Sequence, residues 1–280
     1  MSFVSKLSAA AHKNKSLLCI GLDPDPSMMP VESVIEFNRS IIESTADLVC
    51  AYKPNLAFYE ALGPLGNEAL ARTIDCIPTN IPIIGDAKRG DVFSTSTFYA
   101  KAMFDIWGFD ATTVNPYLGS DSIKPFLAYQ DKGIFILCRT SNPGAREFQD
   151  LPSASNFDVE PIPLYQRVAL QAAAWNTFGN IGLVVGATYP DELGRIRSLC
   201  PNMPILVPGI GSQGGALETS IQNGIDSTGK NILVTASRSI LYASKSSATF
   251  AKTARKEASS LRDKINQVRH DLGFDWPDVM

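Results

Sequence analysis

Histidine is nearly missing from this chain: there are two in 280 residues, His12 and His270, both near the ends. That argues against zinc sites, Ser-His triads and histidine general bases. Cysteine is scarce and shows no pairing pattern. The five cysteines are an odd number without a C-x-x-C spacing. Cys19, Cys50 and Cys138 sit in apolar runs, where a thiol acts as a small hydrophobe. The expectation is five reduced, structural thiols in a cytoplasmic protein. The opening segment, MSFVSKLSAAAHKNKSLLCIGL, lacks an apolar stretch long enough for a signal peptide or a membrane span. It reads as a short amphipathic helix leading into a strand. Neither sign of charge dominates: 25 Lys and Arg stand against 28 Asp and Glu, a net of −3. Nothing in that balance suggests a nucleic-acid or anionic-membrane partner, and an anionic substrate needs a local basic site.

What is present is ordinary globular composition, 45% hydrophobic and 19% charged. Short runs rich in Val, Ile and Leu recur: 17–21, 48–53, 82–88, 111–115, 133–139, 181–186, 205–209 and 232–237. Between them lie stretches such as VESVIEFNRSIIESTADL and TSTFYAKAMFDIWG. Their apolar residues recur three and four apart, giving each helix one buried face. Eight strand–helix units imply a parallel sheet able to close. A (β/α)8 barrel takes roughly 250 residues. The expected fold is therefore α/β, a single (β/α)8 TIM barrel over residues 1–280, with an N-terminal helix closing its bottom. One connection is long. Residues 140–163 separate the fifth strand from the next helix, and loops beyond ~12–15 residues are more often lids or binding loops than plain connectors. A surface insertion remains the alternative.

In such a barrel the chemistry sits where strands end. Those ends carry Asp23, then Lys53 and Asn55, then D-A-K-R-G-D at 86–91, then Arg139-Thr140-Ser141-Asn142, then G-I-G-S-Q at 209–213, then Ser237-Arg238. Positions two apart on a strand face one side, so Asp86 and Lys88 are expected to point together. Gly90 allows a sharp turn that can bring Asp91 back toward them. Lys53, Asp86, Lys88 and Asp91 then form an array of alternating charge, which is expensive to desolvate unless paired or at work. Two readings stay open here: a catalytic array, or a buried ion-pair network that only tunes the barrel.

The segment G-I-G-S-Q-G-G at 209–215 matches G-x-G-x-x-G. It does not fit a dinucleotide fold. It falls at the seventh unit instead of the first, and the next strand does not end in a ribose-binding acid. In a barrel, the loops after strands seven and eight commonly bind phosphate through backbone N–H groups. Arg238 adds a fork-shaped, charge-assisted contact. Glycines serving only a tight turn are the other reading.

Taken in order, Lys53, D-A-K-R-G-D, S-N-P-G, P-G-I-G-S-Q-G-G and S-R resemble the orotidine 5′-phosphate decarboxylases, most closely the longer-chain bacterial group. The likeness runs from about Leu18 to Ser239. It implies decarboxylation of orotidine 5′-phosphate to uridine 5′-phosphate, the last step of de novo UMP synthesis, with no metal and no cofactor. It implies that Lys88 stabilises and protonates a carbanion at pyrimidine carbon 6, beside Asp86. Lys53 and Asp23 would hold the ribose hydroxyls, and Ser141 the pyrimidine edge. Gln213 and Arg238, with Gly211 and Ser237 on the same two loops, would grip the phosphate. It also implies a homodimer in which Asp91 and Thr95 reach into the neighbouring site.

Three other readings compete with this one. A magnesium-dependent sugar-phosphate decarboxylase or related lyase would want a carboxylate where Lys53 stands. A Schiff-base aldolase needs a neutral lysine, whereas flanking carboxylates keep Lys88 charged. A non-catalytic phosphate-ligand sensor would not need Asp86 and Lys88 together.

Overall fold

Eight apolar runs of four to seven residues form parallel strands because neither face of the sheet meets water. The computed structural model describes residues 1–154, 160–210 and 217–277. Its barrel strands are β1 (Leu18–Leu22), β2 (Ala51–Pro54), β3 (Ile84–Arg89) and β4 (Ala111–Val114). They continue as β5 (Gly133–Arg139), β6 (Ile181–Val185), β7 (Ile205–Pro208) and β8 (Ile232–Ala236). The hydrogen-bonded order is β2-β1-β8-β7-β6-β5-β4-β3. Parallel bridges Tyr52 to Ile83 and Asn55 to Asp86 join β2 to β3 and close the ring. The expected (β/α)8 barrel is therefore present.

The long helices are α1 (Phe3–Asn14), α2 (Val34–Thr45), α3 (Gly63–Cys76), α4 (Phe93–Lys101) and α5 (Ser120–Leu127). They are followed by α6 (Leu164–Trp175), α7 (Pro190–Leu199), α8 (Leu217–Gly224) and α9 (Phe250–Asp271). The start of α2 shows why they begin where they do: Ser33 accepts the Glu36 N–H at 3.2 Å, satisfying an end amide. Among the described residues, no helix is long and apolar enough to cross a membrane. All five cysteines are unpaired, four of them buried.

Most strand ends fall within two residues of the sequence reading, and two features depart from it further. β2 starts at Ala51 and not at Leu48, because the Leu48 N–H is taken by the Thr45 carbonyl at the end of α2. The long connection after β5 is also less open than expected. It holds a 3-10 turn (Pro143–Ala145), a helical turn (Arg146–Gln149) and an antiparallel pair of Pro152–Ser153 with Ile162–Pro163. Residues 155–159 lie outside the described part.

The barrel interior is layered, and the layering positions the site. Cys19, Ala51, Ile84, Ala111, Phe135, Val184, Leu206 and Leu233 form an apolar core inside the ring. From below, α1 seals it with Phe3, Leu7 and Ala11. The Phe3 ring meets Phe135 edge-on at 5.7 Å. Gly133 leaves the room, since a Cβ there would come within 2.3 Å of that ring. Lys6 ties the helix down on Asp110 at 2.7 Å. Two residues further along β2, β3, β4 and β8, the same inward face carries Lys53, Asp86, Thr113 and Thr235. The floor is greasy and the layer above it is polar.

Candidate active site

The polar layer opens into a cavity of about 280 Å3 at the carboxyl ends of the strands. Lys53, Asp86, Lys88, Thr113, Ser141, Ser237 and Arg238 line it. Asp23 completes the wall from β1, whose Gly21 pairs in register with Lys53.

Asp86 is the hub. Its Oδ2 accepts from Lys53 Nζ at 2.7 Å and its Oδ1 from Lys88 Nζ at 2.6 Å. The Thr113 hydroxyl donates to the same Oδ1 at 2.9 Å. Burial by itself pushes the Asp86 carboxyl up, but the two ammonium groups win and hold it well below the usual carboxylate range. Burial likewise pushes the Lys53 ammonium down, and the carboxylates of Asp86 and Asp23 override it, so its pKa is raised. Both groups are locked in their charged forms. Removing either partner of such a buried pair typically costs about 3–5 kcal/mol, because the other charge is stranded.

Strand periodicity alone does not explain how Lys88 reaches Asp86. Gly85 pairs with Thr112 and Arg89 with Val114, so Asp86, Ala87 and Lys88 stand opposite Thr113 alone. The resulting bulge puts Lys88 at φ 49°, in the left-handed region that costs an L-residue about 1–2 kcal/mol. The Lys88 N–H, taken out of the ladder, donates to the Thr113 hydroxyl at 2.9 Å. Thr113 thus holds the backbone of one charged residue and the carboxylate of the other. Sequence reasoning passed over it. The usable signal was positional: Thr113 lies two residues beyond Ala111 on an inward face, as Lys53 lies beyond Ala51 and Asp86 beyond Ile84.

Asp91 and Thr95 are not among the residues lining this cavity. Asp91 sits on the rim past Gly90, where its carboxylate accepts the Val92 N–H at 2.7 Å and its own N–H donates to Ser96 Oγ at 3.1 Å. The single chain therefore assembles three of the four residues in the expected array. Gly211 and Gln213 lie outside the described residues. Gly209 and Ile210, just before them, do line the cavity. Asp23 carries a second clue: its Oδ1 is buried without a hydrogen-bond partner. A polar ligand atom would satisfy it.

A model of the orotidine 5′-phosphate decarboxylase / HUMPS family matches residues 16–253. The orotidine 5′-phosphate decarboxylase of Thermomicrobium roseum is 53% identical over 279 residues, covering 97% of this chain and 98% of that protein. Among solved structures, the OMP decarboxylase of Leishmania donovani is 39% identical, with a TM-score of 0.84 over 96% of this chain and 99% of that one. The UMP synthase of the same organism is 40% identical with a TM-score of 0.86; the match covers 96% of this chain and 57% of that larger one. On the full-length relatives and the family match together, the chain belongs to the orotidine 5′-phosphate decarboxylase / HUMPS family.

Proposed function

We propose that the chain converts orotidine 5′-phosphate to uridine 5′-phosphate and carbon dioxide without a metal, through a carbanion at pyrimidine carbon 6 that Lys88 stabilises and protonates. The observation that carries this reading is the Lys53–Asp86–Lys88 array at the mouth of the barrel. The bond from carbon 6 to the carboxylate breaks, and its electron pair stays on carbon 6. An N–H of the Lys88 ammonium supplies the proton, and water restores it to the neutral amine. At ~4 Å and an effective dielectric of ~20, one ammonium beside the carbanion is worth roughly 4 kcal/mol, about a thousandfold in rate. It counts to the extent that it is stronger in the transition state than in the ground state. Holding Lys88 in place with Asp86 and Thr113 before reaction limits the reorganisation required.

The other roles are those the family resemblance implies, supported by the presence of Asp23, Lys53, Ser141, Ser237 and Arg238 in the cavity wall. Asp23 and Lys53 take the ribose hydroxyls, Ser141 takes the pyrimidine edge, and Arg238 takes the phosphate beside Ser237, with Gly211 and Gln213 assigned to the same end. Both oxygens of Asp86 are engaged by ammonium groups, which leaves the carboxylate little to offer a divalent cation and favours this chemistry over the magnesium-dependent lyase. Five unpaired thiols suit a reducing cytoplasm.

The site is completed in a homodimer, with Asp91 and Thr95 serving the neighbouring cavity. Support comes from the rim. Val92, Phe93 and Phe98, which surround those two residues in sequence, are exposed by 55%, 54% and 74%. Tyr117 and Leu118, just beyond β4, are exposed as well. Exposed apolar clusters of this kind mark association surfaces.

The test is turnover after exhaustive dialysis against a strong chelator, followed by loss of orotidine monophosphate absorbance. Full activity is expected. Activity that vanishes and returns with magnesium would contradict the metal-free reading.

A further inference from the structure

The long connection after β5 is clamped at its base. Arg139, the last residue of β5, is fully buried. Its guanidinium lies 3.7 Å from the centre of the Tyr189 ring, just past β6, and reaches Asp150 at 3.1 Å. Gln149 completes the clamp. Its Oε1 accepts the Thr140 N–H at 2.9 Å and an Arg139 N–H at 3.1 Å, and its Nε2 donates to Thr140 Oγ1 at 3.0 Å. Only this orientation of the carboxamide satisfies all three contacts, since the flipped one would set Nε2 against two donors. From the other side, the Gly186 N–H donates to the Arg139 carbonyl at 2.7 Å. A Cβ on Gly186 would press to 2.8 Å on the Ser141 nitrogen, so the backbone at Ser141 has a wall behind it.

Thr140, Ser141 and Asn142 all line the cavity. We infer that Gln149 is a positioning residue for the pyrimidine end of the substrate. Through Thr140, its carboxamide fixes the segment that presents Ser141, while Arg139, Asp150 and Tyr189 hold the clamp shut. The base-reading wall is thus set before substrate arrives, and Gln149 governs affinity for the base and not for the phosphate. This rests on the proposed reaction and on Ser141 reading the pyrimidine.

The test compares two ligands across Gln149→Leu, which keeps the bulk and removes the hydrogen bonds, and Gln149→Glu, which keeps the accepting oxygen. For Gln149→Leu, the Kd for uridine monophosphate and the KM for orotidine monophosphate should rise about tenfold, the scale of one or two net hydrogen bonds. Its Kd for ribose 5-phosphate, which has no base, should stay within about twofold, and its kcat within about threefold, because the phosphate and Lys88 contacts are untouched. Gln149→Glu should recover most of the lost affinity for the uridine ligand. Equal weakening of both ligands would mean that Gln149 only supports the fold, and no change in either would mean that it positions nothing; both overturn the inference. Ser141→Ala and wild-type turnover keep the failures apart. If Ser141→Ala selectively weakens uridine monophosphate while Gln149→Leu does not, the clamp alone is wrong. A folded wild-type chain that turns over no orotidine monophosphate removes the reaction, and the inference with it.

Discussion

Thr113 shows how a residue with no charge can govern two that have one. Its hydroxyl spends its hydrogen on Asp86 and receives the N–H of Lys88. Thr113→Val keeps the shape and strands both. One lost hydrogen bond to a charged group is worth about 1.5–3 kcal/mol, so kcat should fall roughly 10- to 100-fold. Binding of uridine monophosphate should change by less than about threefold, since the contacts proposed for it are with other residues of the cavity, and Thr113→Ser should restore the rate. Steady-state kinetics beside a titration of that product check this; equal losses in kcat and product affinity would place Thr113 in the scaffold alone. The charged residues Lys53, Asp86 and Lys88 were legible in the sequence, because a lysine or aspartate inside a strand has to be explained. A threonine in a strand does not, and so Thr113 was silent. Asp91 was expected to fold back over Gly90 into the same array, yet it does not line its own cavity, and its local contacts are with Val92 and Ser96.

At the scale of elements, the barrel divides its duties between its two ends. The lower interior layer and α1 supply apolar packing, while the upper layer carries the polar residues to which the chemistry is assigned in the proposed reaction. Phe3, only 3% exposed and edge-on to Phe135, belongs to the first end. Phe3→Ala should lower the unfolding free energy by about 3 kcal/mol, as large-to-small core changes do, and should leave kcat/KM at 25 °C unchanged. Urea denaturation and a rate assay check the two halves separately; lost activity without lost stability would place α1 in the catalytic machinery. Hydrophobic period and length made the strands readable to within a few residues. The ordered turns inside residues 140–163 were not readable, because they are held by Gln149 and Asp150 meeting Arg139, which itself lies on Tyr189 beyond the next strand, and no local pattern announces such contacts. For the same reason the left-handed Lys88 stayed hidden: a regular strand puts Asp86 and Lys88 on one face, and the molecule reaches that outcome by breaking the regularity.

At the scale of the whole molecule, eight repeats of strand and helix made the barrel legible, whereas the assembly was not. Nothing in the sequence marks Val92, Phe93 and Phe98 as surface residues, and only the folded chain leaves them in solvent. In the proposed dimer, Lys88 of one chain works beside Asp91 of the other. The direct measurement is activity after Lys88→Ala and Asp91→Ala proteins are mixed, dissociated and reassociated. Each variant alone should be inactive, with Lys88→Ala still binding uridine monophosphate. In a mixed two-fold dimer, one site collects both defects and the other neither. Random pairing makes about half the dimers mixed, so activity should climb toward about a quarter of wild type. Two results would contradict this shared site: Lys88→Ala alone retaining a tenth of wild-type kcat, or a reassociated mixture, verified by mass, that stays at the level of its parents.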